Sequence, residues 1–205
     1  PTWFLDTIAI KPSEKILEDV KGNLSYSVWP SSSKNKNLMI FIHGTGAHKK
    51  WWYPIAPQFV DYSNIIAIDL PGMGDSGFRE KYSIKDFGQC IISIIEKEKS
   101  NMDIDSISII GHSLGGQVAG YVASEKKDLV SNLIMIDTFI RPPDWDPSQN
   151  EGGPLRMIKY YPDKTTILKR FRLLPQQECN NEWFVRYISE HSVRETPEGW
   201  RWKFD

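Results

Sequence analysis

The sequence has little cysteine, no long apolar run and almost no net charge, and each absence excludes a class of protein. Its 205 residues include two cysteines, Cys90 and Cys179, whose separation predicts neither a disulfide framework nor a metal site. No apolar run approaches the ~20 residues that cross a bilayer. With 25 basic and 26 acidic side chains, the formal net charge of −1 argues against nucleic acid or an anionic membrane as the main partner.

The beginning of the sequence also lacks the marks of a secretory signal. Pro1-Thr2-Trp3-Phe4 has neither a basic region nor an apolar core after it. A hydrophobic fraction of 40% is enough to bury a core, so the composition predicts one globular domain, or one domain with an insertion. We expect a cytoplasmic protein.

Strand and helix patterns alternate through the first two thirds of the chain. Several continuously apolar runs are typical of strands covered on both faces, and helix-length segments separate them. Ser83 is a suitable N-cap for the clearest helix, at 83–99, and Cys90 lies on its apolar face. This order predicts an α/β fold with a mostly parallel sheet and helices on both faces. The expected strands are residues 3–10, 23–29, 38–42, 65–68, 107–110 and 133–136.

The character of the sequence changes after Thr138. Residues 141–147 and 151–154 are rich in proline and glycine and cannot continue a helix or a central strand. Short helices are expected at 163–174 and 182–192. We therefore divide the chain into a core, residues 1–138, and a helical cap, residues 139–205, over the carboxyl edge of the sheet.

A serine flanked by glycines directly follows one of the apolar runs. Gly111-His112-Ser113-Leu114-Gly115 comes after the strand expected at 107–110, and a helix is expected next. A sharp strand-to-helix turn strains its middle residue and crowds the positions two before and two after it, so glycine is needed at both flanks. The pattern predicts that Ser113 is a nucleophile for acyl transfer. An ordinary glycine-rich turn is the alternative, and the flanking strand and helix argue against it.

Two further turns are expected at the same edge of the sheet. The strand at 38–42 runs into His43-Gly44-Thr45-Gly46, and we expect the backbone N–H groups of Thr45 and Leu114 to converge on an oxyanion above Ser113. The alternative is that these glycines only make a tight turn. The glycine-rich segment 69–77 lacks the Gly-Lys-Ser/Thr ending of a nucleotide loop, so we interpret it as a structural loop.

Together, these segments resemble the α/β-hydrolase superfamily, in its lid-bearing branch of serine esterases, lipases and C–C hydrolases. The resemblance implies an α/β-hydrolase fold, a small acyl substrate, and neither a metal nor an organic cofactor. Haloalkane dehalogenases and epoxide hydrolases of this fold carry an aspartate at the position of Ser113. The hydroxyl of Ser113 therefore favours ester, thioester, amide or activated C–C substrates.

The resemblance does not identify a general base among the residues of this chain. The family carries its catalytic histidine after the last strand, and this chain has four histidines before that point. We expect His43 to order its turn, His48 to lie at the surface and His112 to point away from the cleft. His191, in the cap, is the remaining alternative. We therefore expect the last strands and the catalytic histidine to lie outside this chain, on a missing C-terminal segment or a separate fragment. Without them, the apolar edge of the sheet would be uncovered.

The carboxylate that orients such a base is expected at Asp137, which ends the strand at 133–136. An aspartate there can equally cap the following turn, and both interpretations stay open. The expected function is hydrolysis of a carboxylic ester through a Ser113 acyl-enzyme. The alternatives are a C–C bond hydrolase and a non-catalytic ligand receptor of the same fold.

Overall fold

The computed structural model describes residues 1–33, 35–140, 158–173 and 176–204. It contains two compact units, which are described separately here. The first comprises residues 1–138 together with Phe204, and the second comprises residues 139–203.

A six-stranded sheet forms the centre of the first unit. Its strands are β1 (Ser13–Leu17), β2 (Leu24–Trp29), β3 (Asn37–Ile42), β4 (Asn64–Ile68), β5 (Ser106–His112) and β6 (Val130–Ile136). They lie in the order β1-β2-β4-β3-β5-β6. β3 pairs in parallel with β4 and β5, and β5 pairs in parallel with β6, whereas β1 and β2 are antiparallel to their neighbours. The mostly parallel sheet predicted from the sequence is therefore confirmed.

Three helices accompany this sheet: α1 (Thr2–Ala9), α2 (Ile84–Lys99) and α3 (Leu114–Glu125). The Oγ of Ser83 accepts the Asp86 N–H at 3.0 Å, which confirms the predicted N-cap of α2. Cys90 is buried on this helix, as expected. None of the helices in the described ranges is long and apolar enough to cross a membrane.

The apolar runs of the sequence supply the core. Ile40 of β3 belongs to one buried cluster with Ile91 of α2 and Val118 of α3. Phe41 is on the opposite face of β3, and its ring centre lies 5.1 Å from that of Trp52, just after the short 3₁₀ helix Lys49–Trp51. Residues that alternate along β3 thus pack against helical segments on both faces of the sheet.

The amino-terminal region differs from the sequence-based expectation. Residues 3–10 were expected to form a strand, but α1 occupies Thr2–Ala9. Phe4 and Thr7, three residues apart, are its buried positions, and the Oγ1 of Thr7 donates to the Trp3 carbonyl at 2.7 Å. The strand actually present, β1, was not predicted because an edge strand with mostly exposed side chains has no apolar run.

The described part of the second unit contains two short helices and a hairpin: α4 (Lys164–Leu168), α5 (Glu182–His191), β7 (Val193–Thr196) and β8 (Gly199–Trp202). The helix predicted at 182–192 is confirmed, whereas α4 is shorter than the predicted 163–174. The hairpin is a correction, because no strand was expected here. Gly199 begins β8 directly after the two-residue turn and has φ +122°, a conformation that L-residues rarely adopt. The proline- and glycine-rich segments at 141–147 and 151–154 lie outside the described residues.

Candidate active site

Ser113 occupies a strained turn between β5 and α3. Its backbone has φ 51° and ψ −118°, a conformation that residues other than glycine rarely adopt. The side chain is half-buried. Ser113 thus stands at the centre of a sharp strand-to-helix turn at the carboxyl end of a parallel strand, and residues 111–115 are called the elbow below.

The flanking glycines of the elbow are required by contact with backbone. A β-carbon on Gly111 would overlap the carbonyl oxygen of Gly115. One on Gly115 would lie 2.5 Å from the carbonyl oxygen of His43, which belongs to the turn after β3. Because backbone cannot move aside as a flexible side chain can, alanine at either position would displace Ser113.

We therefore expect Gly111→Ala to lower the free energy of unfolding by about 2–3 kcal/mol and to abolish labelling of Ser113 by a serine-directed probe. Gly120→Ala is the matched control, since a β-carbon there meets Met135 at an ordinary 3.7 Å. Within a helix, that change should be neutral or slightly stabilising. Denaturant unfolding of both variants measures the difference, and equal stabilities would contradict the crowding argument.

The end of β6 lies beside the elbow. The Ser113 N–H donates to the Ile136 carbonyl at 2.9 Å, and the Thr138 hydroxyl donates to the Ser113 carbonyl at 3.3 Å. Asp137 lies between these two residues in the sequence, has an exposed side chain and has φ 46°. The structure thus brings the predicted carboxylate to the same edge of the sheet as Ser113.

The turn after β3, residues 44–46, contacts the other side of the elbow and is called the glycine turn below. A β-carbon on Gly44 would lie 3.2 Å from the Ser113 Cβ, so the glycine turn and the elbow approach each other as closely as a glycine allows. Thr45 is exposed in the middle of the turn, and Gly46 has φ 70°. Leu114 is the first residue of α3, where backbone N–H groups have no acceptor within their own helix.

His43 orders the glycine turn, as the sequence predicted. Its ring is buried, Nε2 accepts the Leu70 N–H at 3.0 Å, and Nδ1 lies 2.8 Å from the Gly44 carbonyl. Burial lowers the pKa of this imidazole, against a smaller opposing effect of Asp69, so the ring is neutral at pH 7. A neutral ring that accepts at Nε2 carries its proton on Nδ1 and donates it to Gly44.

His48 is a correction, since it is buried and not at the surface as expected. The following Lys49 is buried as well, and its backbone N–H donates to Asp69 Oδ1 at 2.6 Å. A run of His, Lys and Lys in a sequence predicts a solvated surface. Here the 3₁₀ helix that begins at Lys49 places His48 and Lys49 in the interior instead. The available signal was Asp69, a carboxylate placed directly after the buried strand β4, which needs a buried partner.

The remaining two histidines, His112 and His191, lie in different units of the structure. His112 is half-buried, and its Nδ1 would lie 2.8 Å from a β-carbon on Gly44. His191, in the second unit, has Nδ1 2.8 Å from the Tyr187 carbonyl, one helical turn earlier. Among the described residues, no group of three or more His, Cys, Asp or Glu side chains has an arrangement that could hold a metal ion.

The segment after β4 is a compact loop, in agreement with the structural interpretation of 69–77. Gly72 and Gly74 have φ values of 78° and 58°, and the Gly72 N–H donates to the Gly77 carbonyl at 2.9 Å. The Ser76 hydroxyl donates to the Asp69 carbonyl at 2.6 Å. Gly72 and Gly74 therefore provide the positive φ values that this loop requires.

Comparison with known proteins assigns the family. Residues 37–187 match the family model described as alpha/beta hydrolase fold, and the chain therefore belongs to this family. A putative esterase/lipase of Haemophilus influenzae is 31% identical over 154 residues, 75% of this chain and 52% of that protein. A pimeloyl-[acyl-carrier protein] methyl ester esterase of Pseudoalteromonas atlantica is 28% identical over 128 residues, 58% of this chain and 46% of that protein. The chain spans about half or less of the length of these curated relatives.

Solved structures give the same fold. The thioesterase domain from the curacin biosynthetic pathway superposes with a TM-score of 0.72 at 22% identity, covering 95% of this chain and 72% of that domain. At this identity the similarity establishes the fold alone.

Proposed function

We propose that the protein is a serine hydrolase that cleaves carboxylic esters or related acyl compounds through an acyl-enzyme on Ser113. The observation that carries the proposal is the strained, glycine-flanked Ser113 at the end of β5, with the glycine turn on one side and Asp137 on the other. A strained serine persists only where the surrounding structure enforces it, and such strain concentrates at functional sites.

In this mechanism the Ser113 Oγ attacks the substrate carbonyl carbon and gives its proton to a histidine base. The backbone N–H groups of Thr45 and Leu114 donate to the oxyanion of the tetrahedral intermediate. The intermediate collapses, the leaving alcohol takes the proton from the base, and water then releases the acid by the same steps. Asp137 orients the base.

We propose further that the base is a histidine from outside these 205 residues. His43 uses both ring nitrogens to order the glycine turn, and His48 is buried at the start of the 3₁₀ helix. His112 is the last residue of β5, and its Nδ1 lies against the backbone of the glycine turn, where a β-carbon on Gly44 would be 2.8 Å away. His191, in the second unit, is the alternative that the test below addresses.

The edge of the sheet at β6 supports this proposal. Leu133, Ile134 and Ile136 are 40–49% exposed, although they belong to an apolar strand of a parallel sheet. Since neighbouring residues of a strand point to opposite faces, both faces of β6 are exposed at this edge. An added strand alone would leave these faces open, whereas a strand with its own helices covers them.

Such a segment would also be correctly placed for catalysis. A strand parallel to β6 ends at the same edge as Ile136, whose carbonyl already binds the Ser113 N–H. More than a quarter of the curacin thioesterase domain has no counterpart in this chain, while nearly all of this chain has a counterpart there. We infer that an α/β segment carrying the base pairs with β6.

A charge at the β6 edge tests this interface. Ile134→Glu should lower the rate of fluorophosphonate labelling of Ser113 by at least about tenfold, because pairing would bury an unpaired carboxylate. Ile16→Glu is the control: Ile16 is 60% exposed on β1, at the opposite edge of the sheet. Its labelling rate should match that of the wild type.

Two outcomes would reject the external base. One is full labelling of the 205-residue polypeptide alone. The other is loss of labelling in His191→Gln with Ile134→Glu unaffected, which would assign the base to His191.

The substrate class is tested with p-nitrophenyl esters of increasing acyl length, acyl thioesters and styrene oxide, using the whole protein. We expect turnover of the acyl compounds and none of the epoxide, because a serine ether formed from an epoxide has no carbonyl for water to attack. Absence of turnover with every acyl compound, together with tight binding of one of them, would instead favour a ligand receptor.

A further inference from the structure

A buried lysine follows the glycine turn and has no part in the chemistry above. Lys49 is 2% exposed, and lysine is almost never fully buried unless it is paired. Its ammonium lies 3.1 Å from Asp69 Oδ2 and donates to the Ser25 hydroxyl at 2.5 Å. The carboxylates of Glu14 and Asp75 lie 3.4 and 3.9 Å away.

The surrounding carboxylates favour the charged form of Lys49. Burial alone would lower the pKa of Lys49, but Asp69, Glu14 and Asp75 raise it above its ordinary value. Asp69 is 1% exposed, so without Lys49 its carboxylate would lose its closest cation in a nearly dry environment. Lys49 is therefore the counter-ion of Asp69.

Asp69 in turn connects two loops at the candidate site. Its Oδ1 accepts the Lys49 N–H at 2.6 Å, and its Oδ2 accepts the Asp75 N–H at 2.9 Å. These bonds use the carboxylate as an acceptor from backbone on either side, which a neutral side chain with one acceptor oxygen cannot reproduce.

The contacts of Lys49 and His43 bracket the glycine turn. His43, just before the turn, accepts from Leu70, and Lys49, just after it, donates to Asp69. Asp69 and Leu70 are consecutive at the end of β4. The segment 43–49 is thus attached at both ends to one point of the sheet, with Thr45 exposed between them.

We propose that Lys49, acting through Asp69, is a positioning residue that fixes the glycine turn in the orientation in which the Thr45 N–H meets the oxyanion. The inference rests on the proposed function, since it explains how the Thr45 N–H, the proposed oxyanion donor, is held in place. It predicts a defect in the rate of the chemical step and little change in substrate binding, because the ground-state carbonyl depends less on this donor than the oxyanion does.

The test compares Lys49→Met with Lys15→Met in the whole protein. Lys15 is the control because it too is the ion-pair partner of a buried carboxylate, Glu98 of α2, at 2.7 Å, although its own side chain is 32% exposed. For Lys49→Met we expect kcat for a p-nitrophenyl ester to fall by about 10–100-fold with KM within about threefold. Amides of residues 44–49 should also exchange with deuterium faster than in Lys15→Met.

Equal kcat values for the two variants, or unchanged exchange in residues 44–49, would overturn the inference. If the wild type turns over no ester, the proposed function fails on its own, and the exchange measurement still decides whether Lys49 holds the turn.

A double variant keeps the test available if Lys49→Met does not fold. Lys49→Met with Asp69→Asn removes both charges of the closest buried pair, so the chain should fold. The asparagine has one acceptor oxygen for the two backbone N–H groups, so kcat should stay at least about tenfold below the wild type. Recovery of wild-type kcat in the double variant would show that Lys49 only compensates a charge.

Discussion

Ser113→Ala is expected to lower kcat/KM for ester hydrolysis by at least about 10⁴-fold, since removing the nucleophile of a serine hydrolase removes the acyl-enzyme route. Alanine keeps the β-carbon and therefore the backbone strain at φ 51°. The free energy of unfolding should accordingly change by less than about 1 kcal/mol. Steady-state kinetics with a p-nitrophenyl ester and denaturant unfolding measure the two effects.

Ser124→Ala provides the control for this experiment. Ser124 lies on the same helix, α3, is exposed, and uses its hydroxyl to donate to the Tyr121 carbonyl at 2.8 Å. Its turnover should match that of the wild type. Retention of more than about one tenth of the activity in Ser113→Ala would exclude Ser113 as the nucleophile.

Asp137→Asn is expected to produce the next largest loss, about 10³–10⁴-fold in kcat, because an amide can hold the base in the wrong tautomer. The two side chains are nearly identical in shape, and the side chain of Asp137 is exposed, so folding should be unaffected. The measurement is kcat over a range of pH, together with thermal unfolding.

Asp128→Asn is the matched change for Asp137→Asn. Asp128 is also exposed and lies two residues before β6, at the opposite end of the strand from Asp137. It should leave kcat unchanged. A variant at 137 with wild-type kcat and reduced stability would assign Asp137 to capping the turn after β6 instead of orienting the base.

The central strands were predictable because each is a continuous apolar run, and the structure buries them. All five residues of β4 are buried, for example. β1 gave no such signal, since an edge strand needs no apolar face, and its contacts come from pairing with β2. The strand prediction for 3–10 is wrong because the two buried residues of this segment, Phe4 and Thr7, are three apart, as on one face of a helix.

The candidate site also has one feature that the local sequence predicts and one that it does not. The glycine spacing around Ser113 is a local requirement of one sharp turn, and a sequence records local requirements directly. The pairing of Lys49 with Asp69 joins residues 20 positions apart on different loops. It depends on the order in which β3 and β4 lie in the sheet, so the Lys49-Lys50 pair alone predicted only a solvated surface.

The most direct test of the account is the intact mass of the whole protein after treatment with a fluorophosphonate, compared with that of Ser113→Ala. The account predicts one covalent adduct on the wild type and none on the alanine variant. An unmodified wild type, or an adduct of equal yield on both proteins, would contradict the assignment of Ser113 as the nucleophile.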